Sequence, residues 1–345
     1  MLVSRYKNGV YYWLLTGCAL IIFMVMLGGF TRLTNSGLSM VEWSLTGSSP
    51  PSDEQEWNEL FNKYKLSPEA RIINRSFSLP DFKRIFWLEY IHRFFGRMIG
   101  IVFIIPFIFF LTQKCFTKKL FISLLILPAL GFAQGLAGWY MVKSGLAQEP
   151  HVSHYRLAFH LFNAYILFAF TLWLVIRVKA GKMHSVGKLP VLLIVMTVMF
   201  IIQSVYGALT AGLKSGYAYP TWPMMGGEWL PTEASSLRPL IYNFFGNGAM
   251  VQFVHRVIAL IFLFLSIVTT WKFSKLSNKS TEIVTGVRLF ALAVSVQFLL
   301  GVMAVLSGMS PVLAVLHQAN SFFLLGTLIY LAYYFRFGPV SGSGS

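Results

Sequence analysis

The sequence predicts an all-α integral membrane protein: eight transmembrane helices arranged as two pseudo-symmetric four-helix bundles, related by an axis along the membrane normal. Three observations predict it. Hydrophobic residues make up 56% of the 345 and charged residues 12%, with a mean hydropathy of +0.65; a soluble domain carries about 25% charged residues. Apolar stretches long enough for a helix to cross a hydrocarbon core of about 30 Å occur eight times. A series of polar anchors in the first half recurs in the second.

The spans fall at roughly 12–31, 87–111, 119–141, 157–178, 189–211, 250–271, 288–308 and 312–334. The first is read as a retained span, because no small-residue cleavage site and no Arg/Ser-rich amphipathic leader precedes it. The connection from 32 to 86 is too long for a plain loop. Ser52-Asp53-Glu54-Gln55 reads as a capping box with Ser52 as N-cap and Gln55 reaching back. Trp57, Leu60, Phe61 and Tyr64 follow at helical spacing, so 52–65 should be a short amphipathic helix on the outer surface, its apolar face toward the bundle. Pro80 and Asp81 start a helix that continues into the membrane as the second span. The 212–249 connection, with Pro220, Pro223, Gly226, Gly227 and Pro231, should be rigid turns rather than helix. The closing Ser-Gly-Ser-Gly-Ser at 341–345 reads as an appended tail.

Charge sets the topology. The N-terminal tail, the connections after the second, fourth and sixth spans, and the C-terminus hold fourteen basic residues, among them Arg5, Lys118, Lys182, Lys188, Lys272 and Lys279, against the single acid Glu282. The connection after the first span balances seven basic residues with seven acidic ones. The positive-inside rule therefore places both termini in the cytoplasm of a bacterial cell, in a multi-pass inner-membrane protein. The net charge of +16 is topological, which argues against nucleic acid as a partner. Of the two cysteines, Cys18 lies in a span and Cys115 on the reducing side, so no structural disulfide is expected. The absence of Cys-x-x-Cys-His excludes covalent c-type haem attachment.

The repeat is read from its anchors. Gly29-Phe30-Thr31 leading to Ser36-Gly37 matches Gly207-Ala208-Leu209-Thr210 leading to Ser215-Gly216. His92 matches His255 and Gln134 matches Gln297, both at an offset of 163, while His160 and His317 differ by 157. The divisions are a first half at 1–180 and a second at 181–340. A unit of four spans ends on the side where it began, so the halves share one orientation. All four histidines then begin descending spans and lie in the outer leaflet.

An ionisable residue inside a span is costly and marks a site by default. Four at repeat-related positions form two natural pairs, His92 with His160 and His255 with His317. Imidazole nitrogen is a good ligand for haem iron, and two facing helices can supply both axial ligands, so the four are candidate metal ligands. Small residues beside them, Gly96, Ala164 and Ala319, would admit a flat macrocycle. Arg93 and Arg256 follow His92 and His255 directly and are candidates to pair with haem propionates. Glu89, three residues before His92, shares its helix face; its counterpart is Gln252. A buried carboxylate beside one centre only suits proton transfer or stabilisation of a cationic intermediate, so Glu89 is a candidate catalytic residue, with an i,i+4 salt bridge to Arg93 as the structural alternative. Arg97, whose counterpart is Leu260, is a weaker candidate to neutralise Glu89 or a ligand. Trp139, Trp222 and Trp229 fall near the outer side and could line a porphyrin. Met24 and Met26 read as packing, and His151 and His154 as surface residues.

On the residues, three functions stay open: an enzyme acting on a haem, a di-haem b-type electron-transfer cytochrome linked to quinol, and a transporter with histidine proton relays. The stretch Gly28-Gly29-Phe30-Thr31-Arg32-Leu33-Thr34-Asn35-Ser36-Gly37, with Glu89-Tyr90-Ile91-His92-Arg93, Tyr155-Arg156-Leu157-Ala158-Phe159-His160, Thr221-Trp222-Pro223-Met224-Met225 and Leu316-His317-Gln318-Ala319-Asn320, resembles the haem A synthase family over nearly the whole chain. The long first connection is similar to the proteobacterial and mitochondrial branch, without the cysteine pair that other members carry there. The resemblance implies an oxidoreductase that converts the C8 methyl of haem O to a formyl group for cytochrome c oxidase. It implies haem b on His255 and His317, substrate haem O on His92 and His160, and Glu89, His92 and His160 taking part in the oxidation. The implied partners are membrane lipid, the enzyme that makes haem O, and oxidase assembly factors.

Overall fold

The computed structural model describes residues 4–42, 47, 49–146, 150–181, 183–185, 187–276 and 280–339. Lys182, Lys279 and the tail at 341–345 lie outside the described residues. Helices follow in order: α1 (Lys7–Leu33), α2 (Glu54–Lys65), α3 (Pro68–Ile72), α4 (Leu79–Thr112), α5 (Lys118–Gly145), α6 (His154–Ala180), α7 (Val191–Gly212), α8 (Ser215–Ala218), α9 (Asn243–Gly246), α10 (Gly248–Ser274), α11 (Thr281–Leu306) and α12 (Pro311–Arg336). Among the described residues eight are long and apolar enough to span a membrane: α1, α4, α5, α6, α7, α10, α11 and α12. This is an all-α membrane fold. A two-stranded antiparallel ribbon, β1 (Met183–Ser185) with β2 (Phe337–Pro339), was not expected from sequence; it ties the connection between the halves to the end of α12.

The helix pairings repeat. In the first half α1 packs on α4 and α6, and α5 on α4 and α6; in the second α7 packs on α10 and α12, and α11 on α10 and α12. Between the halves α1 meets α12, α6 meets α7, and α6 meets α12. Exchanging the halves maps this pattern onto itself. Residues on a two-fold axis must touch their own counterparts, and three such pairs occur. Arg32 Nη1 donates to the carbonyl of Ala211 at 2.8 Å, and Lys214 Nζ to Asn35 Oδ1 at 3.2 Å, both pairs at the offset of 179 that relates α1 to α7. Tyr165 stacks on Phe322, centroids 4.4 Å apart, at the offset of 157 that relates α6 to α12. These contacts are consistent with the expected pseudo-symmetry. α1 and α7 even stop alike, in the left-handed residues Asn35 (φ 49) and Lys214 (φ 54); asparagine tolerates that region better than lysine does.

One apolar cluster joins both halves. It runs from Val10 and Leu14 through Leu124, Phe168, Leu174, Met196, Phe290 and Phe322 to Leu331. These residues occupy the end of the bundle remote from the long connections 34–78 and 213–247, so the interior at the connection-bearing end is left for a site.

The outer connections depart from the expected detail. α2 is capped by Asp53, whose Oδ1 accepts from the Glu56 amide at 2.8 Å, and it is Glu56 that reaches back, accepting from the Ser52 amide at 2.8 Å. The N-cap is thus one residue later than expected, and the N3 side chain reaches the amide before the cap rather than that of the cap itself. The apolar stripe is placed as expected: Trp57, Phe61 and Tyr64 are buried against Phe82, Ile85 and Phe86 of the outer extension of α4. That extension begins at Leu79, with Asp81 accepting from the Ser78 amide. The second connection is mostly turns around the cis prolines Pro223 and Pro239, but it also holds the short helices α8 and α9 and two 3-10 turns, Thr232–Ser235 and Leu240–Tyr242.

Candidate paired-histidine site

At the connection-bearing end lies a cavity of about 1310 Å3, lined by all four histidines and by Glu89, Arg93 and Arg256. Drug-sized ligands occupy about 300–1,000 Å3, so the space suits a larger guest or more than one. The four histidines stand on α4, α6, α10 and α12, rigid elements rather than loops, while connection residues such as Leu38, Val152 and Trp222 complete the wall. His92 lies within electrostatic range of His160, and His255 of His317, so the pairs form within each half. Among the described residues no three of His, Cys, Asp and Glu converge as a bare metal ion would need. Imidazoles in twos match the axial positions that a macrocyclic ligand leaves to the protein.

Each ring rests against a glycine on a neighbouring helix. A Cβ added at Gly28 (α1) would lie 3.0 Å from His92 Nε2, and at Gly138 (α5) 3.0 Å from His160 Cε1. In the second half one at Gly207 (α7) would lie 3.1 Å from His255 Cε1, and at Gly301 (α11) 2.9 Å from His317 Cε1. Contacts this short mean that a Cβ would push the ring, so glycine is what lets the imidazole approach the facing helix this closely. These facing glycines add to the small residues expected beside the rings, of which Gly96 and Ala164 line the cavity.

Glutamines hold three of the rings. Gln134 Nε2 is 3.3 Å from His160 Nε2; Gln203 Nε2 donates to the His255 main-chain carbonyl at 3.1 Å and lies 3.5 Å from the ring's Nε2; and Gln297 Nε2 is 3.2 Å from both nitrogens of His317. His317 Nδ1 also donates to the Gln297 carbonyl at 3.1 Å. His160 Nδ1 with Gln134 Oε1, and His255 Nδ1 with Gln203 Oε1, are buried and unpartnered. Both members of a hydrogen bond are thus present at each site. A ring turned to give Nδ1–H to the amide oxygen and Nε2 to iron would satisfy both, so the donor set fits a haem.

Glu89 is 3% exposed on α4. Every group that meets its carboxylate is a donor: Arg93 Nη2 at 2.5 Å, Ser39 Oγ at 2.7 Å and the Met40 amide at 2.9 Å. The salt bridge considered from sequence is therefore formed, at the wall of the cavity. Arg93 further donates to the carbonyls of Met40 and Glu42, at 3.1 and 3.2 Å. In the second half Gln252 is 2% exposed. With its amide oriented as its neighbours require, it donates to the Ser215 carbonyl and accepts from Arg256, both at 2.9 Å. Arg256 donates to the carbonyls of Tyr219 at 2.9 Å and Thr221 at 2.8 Å, leaving Nε buried and unpartnered. Met40 and Tyr219 are themselves counterparts at offset 179. Each arginine thus latches the outer connection of its half over its pair of rings, and only the first half adds a carboxylate.

Sequence reasoning missed Glu69. It sits on α3, is 3% exposed, and lines the same cavity. It accepts from Tyr64 Oη at 3.2 Å, and Asn74 Nδ2 donates to that oxygen at 2.7 Å. Burial pushes the Glu69 carboxyl up to about 7, the Tyr64 hydroxyl opposing and the charge of Glu89 adding to the shift. A polar connection gave no periodic signal that could single it out. Arg97 lines the cavity and packs on Gly47, and the cation on Glu89 is Arg93 rather than Arg97. Trp139 and Trp222 line the cavity, while Trp229 is 67% exposed. His151 is exposed as expected and also lines the cavity, as does Met24, expected in packing; His154, expected at the surface, is half-buried with Nε2 unpartnered.

Fold and site together define a polytopic membrane protein with two matched imidazole pairs opening on one cavity. The chain belongs to the COX15-CtaA family, described as cytochrome oxidase assembly proteins, whose model matches residues 11–329. It is similar to the haem A synthase of Flavobacterium psychrophilum, 42% identical over 335 residues, covering 95% of this chain and 98% of that protein. The haem A synthase of the Wolbachia of Brugia malayi is 38% identical, covering 96% of this chain and 98% of its own. The plant haem A synthase COX15 of Arabidopsis thaliana is 37% identical, covering 94% of this chain and 74% of its own.

Proposed function

We propose that the protein is a haem A synthase, a membrane oxidoreductase that converts the C8 methyl of haem O to a formyl group in cytochrome oxidase biogenesis. The names of its relatives support the activity. One observation carries the assignment to residues: the matched sites differ by a buried carboxylate, Glu89 beside one imidazole pair and Gln252 beside the other. Residues 1–180 are the substrate half, where His92 and His160 hold haem O; residues 181–340 are the cofactor half, where His255 and His317 hold haem b. Bound there, haem b supplies one-electron redox chemistry.

The protein's own groups do the rest. Glu89, fixed by Arg93, Ser39 and Met40, sets a negative charge beside the substrate ring, where positive charge builds as electrons leave the methyl carbon. The methyl passes through an alcohol to a gem-diol that loses water; each oxidation takes two electrons from the carbon and adds one oxygen atom, so it draws on water with an external electron acceptor, or on dioxygen with an external electron donor. Helix walls and the latched connections exclude bulk water from the reacting carbon. Arg93 and Arg256 stand where propionates meet the water boundary, and the free Nε of Arg256 is a donor available to one. The charge distribution supports a bacterial inner-membrane location with cytoplasmic termini and the sites in the outer leaflet. Haem O would arrive from the enzyme that makes it, with oxidase assembly factors as further partners.

Extraction and weighing of the non-covalent pigment tests this. Wild type, co-produced with haem O, should carry formyl or hydroxymethyl haem as well as protohaem, and Glu89→Gln should accumulate unreacted haem O. Protohaem alone in both would overturn the synthase reading in favour of the electron-transfer cytochrome.

A further inference from the structure

Three of the four rings share a device that the fourth lacks. Gln134 precedes Gly138 by four residues on α5, Gln297 precedes Gly301 by four on α11, and Gln203 precedes Gly207 by four on α7. In each case the glycine seats the imidazole and the glutamine, one turn earlier on the same face, stands within 3.2–3.5 Å of the ring's Nε2, its unpartnered amide oxygen at His160 and His255 being the acceptor a turned ring would offer Nδ1–H. Gly28 seats His92 in the same way, but the residue four before it is Met24. Met24 and Gln203 are counterparts at the offset of 179 that relates α1 to α7. A thioether donates nothing and accepts weakly. Among the described residues no hydrogen bond reaches the His92 ring, and that ring is half-buried at the cavity wall.

A partner on the outer nitrogen of a ligating imidazole fixes its orientation and raises its basicity. Two histidines on an iron leave no open position, so any ligand exchange at the substrate haem must release one of them. We propose that His92 is the exchangeable ligand of the substrate iron, and that Met24, standing where the matching site has a glutamine, is the residue that leaves it free. On exchange the Fe–N bond breaks, its electron pair stays on the imidazole nitrogen, and the incoming ligand supplies the pair for the new bond. His160, held by Gln134, stays. In the cofactor half both rings are held, by Gln203 and Gln297, so that iron keeps both ligands and only passes electrons. This rests on the ligand assignment proposed above. Met24 is a positioning residue, because it would act through His92.

The probe is carbon monoxide added to the reduced, haem-loaded full-length protein, read by the Soret shift, with spin state read by electron paramagnetic resonance of the oxidised form. In wild type one of the two haems should take carbon monoxide, and His255→Ala should not be needed for that. Met24→Gln should slow the binding by about 10–100-fold, the usual weight of an outer-shell partner on a metal ligand. Met24→Leu should bind like wild type. Gln203→Met should open the second haem to carbon monoxide. Wild-type rates in Met24→Gln, or refusal of carbon monoxide by both wild-type haems that remain low-spin, would overturn the proposal while leaving the ligand assignment intact. A haem spectrum untouched by His92→Ala would overturn the ligand assignment and this proposal with it.

Discussion

Glu69 and Glu89 are each 3% exposed and line one cavity, yet their surroundings differ. Glu89 has a guanidinium and two neutral donors. Glu69 has one phenol, and burial holds its carboxyl at about 7, above the ordinary 4.5. Between those values the native protein keeps a proton that the unfolded chain has released. By linkage this contribution to stability is complete below pH 4.5 and is lost as the pH rises to about 7, by roughly 3 kcal/mol. The melting temperature in detergent should therefore fall over that interval, and Glu69→Gln should flatten the fall. An equal slope in the variant would show that other groups carry it.

At the scale of elements, the outer connection is held by α2 on the extension of α4. Trp57 meets Phe86 edge-on with centroids 5.0 Å apart, and Phe61 and Tyr64 stack on Phe82 at 5.3 and 5.0 Å. The connection carries Ser39 and Met40 to Glu89, so its packing positions the carboxylate's donors. Truncating a buried tryptophan costs about 3–5 kcal/mol. Trp57→Ala should expose 49–78 to protease and to hydrogen exchange while α6 and α12 stay protected. The variant should also lose turnover through Glu89 although no residue at the cavity has changed. Protection of α2 equal to that of wild type would mean that the aromatic contacts are dispensable.

At the scale of the whole molecule, the halves are joined by one core and by counterpart contacts at Tyr165–Phe322, Asn35–Lys214 and Arg32–Ala211. Such a molecule has a polar, balanced end and a basic end, and the bilayer reads that difference. In a background lacking Cys18 and Cys115, Asn58→Cys on α2 should react with a membrane-impermeant thiol reagent in intact spheroplasts, and Lys188→Cys should react only after lysis. The opposite pattern would invert the topology and put the cavity on the cytoplasmic side.

The spans, the repeat and the four histidines were legible because each has a periodic or positional signature: about 20 apolar residues per crossing, and an offset of 163 shared by His92/His255 and Gln134/Gln297. The amphipathic stripe of α2 was legible for the same reason. What stayed hidden depends on groups brought together across helices. The glycine seats are read on Gly28, Gly138, Gly207 and Gly301 only once α1, α5, α7 and α11 face the rings. Glu69 and Met24 carry no signature as residues; packing alone turns them toward the cavity. The N-cap of α2 is Asp53 rather than Ser52 because the Asp53 carboxylate takes the Glu56 amide while Ser52 donates to the Glu56 side chain. By itself, then, the sequence determined the membrane class, the eight apolar helices and the paired histidines, because the bilayer penalises any polar group without a purpose. Tertiary structure decided which glycine seats each ring and which ring goes without a glutamine, because side-chain contact is set by which helix faces meet, not by separation along the chain.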